Sequence, residues 1–180
     1  QFGGKGNVDK LREAFKQLGF SGMEEVALGA DLCTIQESED FLEEVPEKIP
    51  FMGTSCCPAW SVMAKKEFPK NADCISMALT PMTLTARLIR KQHPNAKIVF
   101  VGPCSAKKLE AMRESVRSEV DFVLTFEEMA GMMSAKQIDY TKLAGEGGDF
   151  DVASADGRGF AVAGGVATAV ANAIHKRYPE

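Results

Sequence analysis

One run limits the fold more than any other: Lys97-Ile98-Val99-Phe100-Val101, β-branched and apolar on both faces, ended by Gly102-Pro103. A half-exposed strand alternates polar and apolar residues, so this run predicts a strand covered on both sides, as in a parallel sheet between helices. Val120 to Thr125 reads as a second strand, with Thr125 capping a helix over 126–135. Glu25-Val26-Ala27-Leu28-Gly29 predicts a further short strand, and Phe160-Ala161-Val162-Ala163 a last one that turns at Gly164-Gly165 into a small-residue helix. Ile49 to Gly53 is another short apolar run.

Helical patterns fill the intervals. Asn7 is suited to cap a helix carrying Val8, Leu11, Phe15 and Leu18, with Gly19 closing it. Ala30 to Glu44 predicts a helix with Leu32, Ile35 and Phe41-Leu42 on its buried side. Pro58 opens another, whose apolar side is Trp60, Val62, Met63 and Phe68. Thr80-Pro81 starts a third, with Leu84, Leu88 and Ile89 in its stripe, and Ser105 to Met112 is a fourth. Gly145 to Gly159 reads as a loop. The fold class is therefore α/β, with mainly parallel sheets flanked by helices.

Composition narrows the partners. With 45% apolar and 26% charged residues and a net charge of -4, the chain has an ordinary core and no basic face for nucleic acid or an anionic membrane. No run approaches the length of a membrane span. Five cysteines, an odd number without the spacing of a disulfide framework, suit a reducing cytoplasm. Nine methionines are read first as core filling. The start, without Met or a signal-peptide pattern, looks like a cut end.

Two loops carry the chemistry. Thr54-Ser55-Cys56-Cys57-Pro58-Ala59-Trp60 and Gly102-Pro103-Cys104-Ser105-Ala106-Lys107-Lys108-Leu109-Glu110 each put cysteine between an apolar run and a helix. In open α/β sheets, ligands gather at the carboxyl ends of strands. Cys56-Cys57, Cys104 and Gly164-Gly165 are thus expected to share one face. Singly, each feature has a plain explanation: free cysteine is commonly a core residue, and Lys107 with Glu110 is commonly a solvated helix pair.

Together, the two loops strongly resemble the first two signature motifs of the iron-only ([FeFe]) hydrogenase catalytic domain. Gly29-Ala30-Asp31-Leu32, Val120 to Thr125, and Ala163-Gly164-Gly165-Val166 extend the likeness over nearly the whole chain. The resemblance implies a parent holding a [4Fe–4S] cluster bridged to a two-iron subsite, together the H-cluster. It implies reversible formation of H2 from protons and electrons, with ferredoxin or another electron carrier as partner. By the same resemblance Cys57 and Cys104 are metal ligands, Cys56 is the proton-donating thiol, and Lys107 holds a cyanide ligand of the subsite. Glu37 and Asp40 correspond to relay carboxylates, Thr80 to the relay hydroxyl, and Glu110 to the acid ending the second motif. Gly102 departs from the family, many of whose members have methionine there.

The third motif of that family, with its two further cysteines, has no counterpart after Cys104. A cubane normally takes four cysteines. The chain therefore reads as a partial catalytic domain over 1–180, cut at both ends, in one core or two small α/β lobes. By itself it is expected to be apo and inactive, with apolar surface left open to self-association. The alternatives keep the fold without the reaction: a hydrogenase-like sensor, an iron–sulfur assembly protein, or a metal-free scaffold.

Overall fold

A computed structural model describes residues 8–145 and 153–179. The chain order is α1 (Val8–Leu18), α2 (Val26–Glu44), α3 (Pro58–Glu67), α4 (Pro81–Gln92), β1 (Val99–Gly102), α5 (Ala106–Met112), β2 (Phe122–Thr125), α6 (Phe126–Ala135), α7 (Ala155–Gly159) and α8 (Gly165–Arg177). Short 3-10 turns at Pro69–Cys74 and Tyr140–Lys142 complete it. No described helix is long and apolar enough to cross a membrane.

The two strands pair in parallel, Val99 opposite Phe122 and Gly102 opposite Thr125, and α5 lies between them in sequence. Asp121 locks the start of the pair. Its carboxylate accepts from the Ile98 N–H at 2.9 Å, from Lys97 at 2.9 Å and from Arg90 at 3.0 Å. These donors pull its pKa down to about 2, the Ile98 amide most strongly. Thr125 and Glu128 form a reciprocal capping box at the start of α6, which satisfies amides that the first turn leaves free. Ala14, Met129 and Met133 are the buried heart of this half, with Phe15, Phe20, Val101 and Leu124 packed around them.

α2 is the second organiser and packs on α4, α7 and α8. Its approach to α4 needs Gly29: a Cβ there would sit 2.1 Å from Thr85 Oγ1 and 2.9 Å from the Pro81 carbonyl. The later part of the chain is tied back onto it. Asp31 accepts from the Ser154 amide at 2.8 Å and from its hydroxyl at 2.5 Å, and Arg158 grips Glu25 through two bonds of 2.7 and 2.9 Å.

Several expectations are corrected. Residues 26–29 are not a strand but the first turn of α2, because small residues there let two helices cross closely. The buried face of α2 is Gly29, Ala30, Cys33, Thr34, Glu37 and Ser38, while Leu32, Ile35 and Leu42 are exposed. Likewise Trp60, Val62, Met63 and Phe68 face outward from α3, whose buried residues are Pro58 and Ala64. On α4 the buried set is Met82, Thr83, Thr85 and Ala86, with Leu88 exposed. Of the methionines, Met82, Met129 and Met133 are in the core, whereas Met77 and Met112 are largely exposed.

The apolar run that ends at Gly53 makes a single parallel bridge, with Ile75. Residues 160–163 are turn rather than strand. α7 occupies part of the expected loop, because the Ser154 hydroxyl caps it through the Gly157 amide at 3.0 Å. Gly164 therefore follows a turn, in the left-handed conformation that glycine tolerates (φ 74°), and not a strand. The cap at Asn7 lies outside the described residues.

Candidate functional site

The first cysteine loop leaves Gly53, which is bonded on both sides to the 74–76 segment (Gly53 N–H to Cys74 at 2.8 Å, Ser76 N–H to Gly53 at 2.8 Å). The second leaves the end of β1. Cys57 caps α3, its sulfur accepting the Trp60 amide at 3.5 Å, and is exposed. Cys56 and Cys104 are half-buried. Trp60 closes the first loop on itself, its indole N–H donating to the Thr54 carbonyl at 3.1 Å.

A buried ion pair joins the two loops. Lys107 Nζ donates to the Cys56 carbonyl at 2.9 Å and to Glu110 Oε2 at 2.6 Å. The Glu110 side chain is 3% exposed and that of Lys107 is 12% exposed. This is not the solvated pair that i,i+3 spacing alone suggests. The other Glu110 oxygen, Oε1, accepts from Thr80 Oγ1 at 2.5 Å and from Thr83 Oγ1 at 3.2 Å. A buried ion pair persists only when further hydrogen bonds fill the remaining lone pairs, and these hydroxyls fill them.

Beside this pair lies a cluster of acids whose pKa values burial raises. Glu37 is buried, its Oε2 has no hydrogen-bond partner, and burial raises its pKa to about 7 against an opposing Ser76 contact. The Cys56 thiol is also pushed up, first by burial, with Lys107 pulling the other way. Its sulfur lies 4.0 Å from Thr54 Oγ1. Cys33 is pushed up to about 12, again by burial, and feels Glu37, Cys56 and Lys107. Its thiol donates to the Leu79 carbonyl at 3.0 Å.

Six of the eight expected residues are placed around two linked features. Cys56, Lys107, Glu110 and Thr80 form one bonded network, Glu37 sits within its field, and Cys57 flanks it in sequence. Asp40 is half-buried, accepts from Gln36 at 2.7 Å, and bears on the network only through its charge, which helps push the Glu37 pKa up. Thr80 donates its hydroxyl hydrogen bond to Glu110. Cys104 stands at the start of the second loop, where its carbonyl accepts the Lys107 amide at 3.2 Å. Sequence reasoning missed Cys33 and Thr83. The signal for Cys33 was its place four residues before Glu37, on the same helix face; for Thr83, three residues after Thr80, it was the same rule.

At Gly102 an added Cβ would lie 2.6 Å from Phe100 Cε1, so the Phe100 ring occupies the space beside this glycine. A cleft of about 840 Å³, lined by Phe15, Met82, Ile89, Phe100 and Met129 among others, contains none of the eight expected residues.

Among the described residues no group of three His, Cys, Asp or Glu side chains is placed to hold a metal ion. Cys33 is buried in the cluster beside Cys56 and Cys74 is buried next to Ile75, so Cys57 and Cys104 remain as candidate ligands where a cubane takes four thiolates. The chain's own cysteines do not complete that ligand set.

Two parallel strands flanked by helices, with a buried Lys107–Glu110 pair that ties the second cysteine loop to the first, define an α/β domain. The chain belongs to the family described as the iron only hydrogenase large subunit, C-terminal domain, which it matches over residues 2–179. It is 30% identical over 172 residues to iron hydrogenase 1 of Clostridium pasteurianum, covering 87% of this chain and 30% of that protein. Identity to the NADP-reducing hydrogenase subunit HndD of Solidesulfovibrio fructosivorans is 30% over 179 residues, with the same coverage. The cytosolic Fe-S cluster assembly factor NAR1 of Debaryomyces hansenii is 32% identical over 142 residues, 69% of this chain and 26% of that protein. Among solved structures, apo [FeFe]-hydrogenase HydA1 from Chlamydomonas reinhardtii superposes with TM-score 0.70 at 25% identity, over 84% of this chain and 43% of that one. The chain thus spans about a third of these curated hydrogenases and under half of the solved one.

Proposed function

We propose that this chain is the proton-handling part of an iron-only hydrogenase, in which the whole protein interconverts H2 with protons and electrons. The observation that carries the reading is the meeting of Cys56, Lys107 and Glu37. A half-buried thiol is kept protonated, a cation is bonded to that thiol's own carbonyl, and a buried carboxyl titrates near neutrality. A general acid works best with a pKa close to the operating pH, and Glu37 meets that condition. Cys56 is then the thiol that gives and regains a proton, and Glu37 the group that resupplies it.

Cys57 and Cys104 supply two thiolates of an iron–sulfur cluster whose other ligands come from residues outside this sequence. When bound, that cluster with its two-iron subsite would pass on electrons from a carrier and supply the hydrogen chemistry. Electrons arrive from a ferredoxin-type or nicotinamide-linked carrier; one relative's name, NADP-reducing hydrogenase, supports the latter. The reducing cytoplasm is the proposed setting.

The test is Cys56→Ser and Cys57→Ser in the whole, iron-loaded protein. Cys56→Ser is expected to lower H2 evolution at least about 100-fold, the scale of a lost general acid, with iron content unchanged. Cys57→Ser is expected to lose iron. Full turnover in Cys56→Ser overturns the assignment. A second reading, iron–sulfur assembly, is favoured by the likeness to NAR1. It prevails if the loaded wild type neither evolves nor consumes H2 but passes its cluster to an apo-acceptor.

A further inference from the structure

We propose that Thr83, acting with Thr80 through Glu110, is a positioning residue for the Lys107 ammonium. The proposal deepens the reading above, because it concerns the cation of the same site.

The geometry is a clamp across three chain segments. Lys107 and Glu110 belong to α5, a helix of 7 residues. On a short exposed helix such a pair would swing freely and contribute little. Here Thr80 and Thr83, from the start of α4, fill Glu110 Oε1 at 2.5 and 3.2 Å, which leaves Oε2 for Lys107 at 2.6 Å. A carboxylate with both oxygens engaged cannot turn without breaking a bond to one side or the other. The ammonium has three N–H donors. One goes to Glu110 and one to the Cys56 carbonyl at 2.9 Å, so the direction of the third is fixed by the first two. That third donor is the one free to meet an anionic ligand.

Thr83 is the cleaner half of the clamp. Its side chain is fully buried, at 0% exposure, so no water replaces its hydroxyl when it is removed. Thr80 also caps α4, accepting the Thr83 amide at 3.3 Å, so removing its hydroxyl would damage the helix as well.

The experiment follows Lys107 directly. Metal-free full-length protein is treated with limiting acetic anhydride, and acetylation at Lys107 is measured by peptide mass spectrometry against Lys97, which is 78% exposed. Thr83→Val keeps the shape and removes the donor; it is expected to raise the Lys107 rate at least about tenfold, the scale of losing one hydrogen bond to a charged group. Thr83→Ser keeps the hydroxyl and is expected to stay within about twofold of wild type. Glu110→Gln is expected to raise the rate at least as much as Thr83→Val. An unchanged Lys107 rate in folded Thr83→Val overturns the proposal, as does a rise in Thr83→Ser equal to that in Thr83→Val, which would mark packing alone. Should Thr83→Val not fold, an unchanged rate in Glu110→Gln overturns it.

H2 turnover of the loaded protein separates the two readings. A Lys107 response without wild-type turnover leaves the clamp standing and removes the hydrogenase reading. Turnover without a Lys107 response does the reverse.

Discussion

Glu37 gives the sharpest quantitative test, since its carboxyl is buried and its pKa rises from 4.5 to about 7 on folding. Below pH 4.5 the group is protonated in both folded and unfolded chains, and it contributes no pH dependence. As pH rises from 4.5 toward 7 the unfolded chain releases the proton while the folded chain retains it, so folding loses stability. The loss is ~1.4 kcal/mol per pH unit and reaches about 3 kcal/mol at neutrality. Above pH 7 both states are ionised and the difference is constant. Glu37→Gln removes this titration and leaves the others in place. Urea unfolding of wild type and Glu37→Gln between pH 4 and 8, in metal-free protein, should show the variant gaining about 3 kcal/mol on wild type across that window. Parallel stability curves would show that the carboxyl is not held protonated by burial, and would remove its role as a neutral-pH proton source.

Two further outcomes follow from the packing and from the strand lock. Gly29→Ala should cost about 1–2 kcal/mol by urea unfolding, because the clash with Thr85 Oγ1 and the Pro81 carbonyl exceeds the roughly 1 kcal/mol of helix propensity gained; adding Thr85→Ala should recover part of it, and a Gly29→Ala protein as stable as wild type would contradict the close crossing. Asp121, with its pKa lowered from 3.8 to about 2, contributes stability that is present above pH 3.8 and disappears as pH falls toward 2. Since its side chain is 19% exposed, wild type should lose only about 1 kcal/mol relative to Asp121→Asn in acid unfolding over that interval, and no relative loss would refute the lock.

Much of the fold was legible because local chemistry and tertiary setting agree. The apolar run before Gly102 is a parallel strand, Thr125 caps α6, and Pro81 stands at the first turn of α4 behind its Thr80 cap. The misreadings concentrate on α2. Its buried face is made of Gly29, Ala30, Cys33, Thr34, Glu37 and Ser38, so hydrophobic patterning points to the wrong side. A helix face that closes on α4 through Gly29 and buries a carboxyl is not a leucine stripe.

Motif and spacing single out Cys56, Lys107 and Glu37, and the fold brings all three into one neighbourhood. The partner of Thr80 was not legible, because it lies thirty residues away in Glu110 and only the packing of α5 on the rest decides it. Gly102 is similar: the aromatic ring that occupies its side-chain space comes from its own strand, two residues back, and spacing alone does not show a ring folding over.

The Lys107–Glu110 pair also bears on how such a chain can change over time. Losing either partner singly leaves an uncompensated charge in the interior, at a cost of about 3–5 kcal/mol, a large part of a typical domain's stability. Exchange for apolar residues requires both to change together, along with the two threonine hydroxyls that would then lack an acceptor. A lineage that abandoned hydrogen chemistry would therefore keep these four residues long after selection on turnover had ceased, whereas Glu37, with an oxygen already lacking a partner, gains stability on replacement and would go early. Drift should erase Glu37 before the clamp.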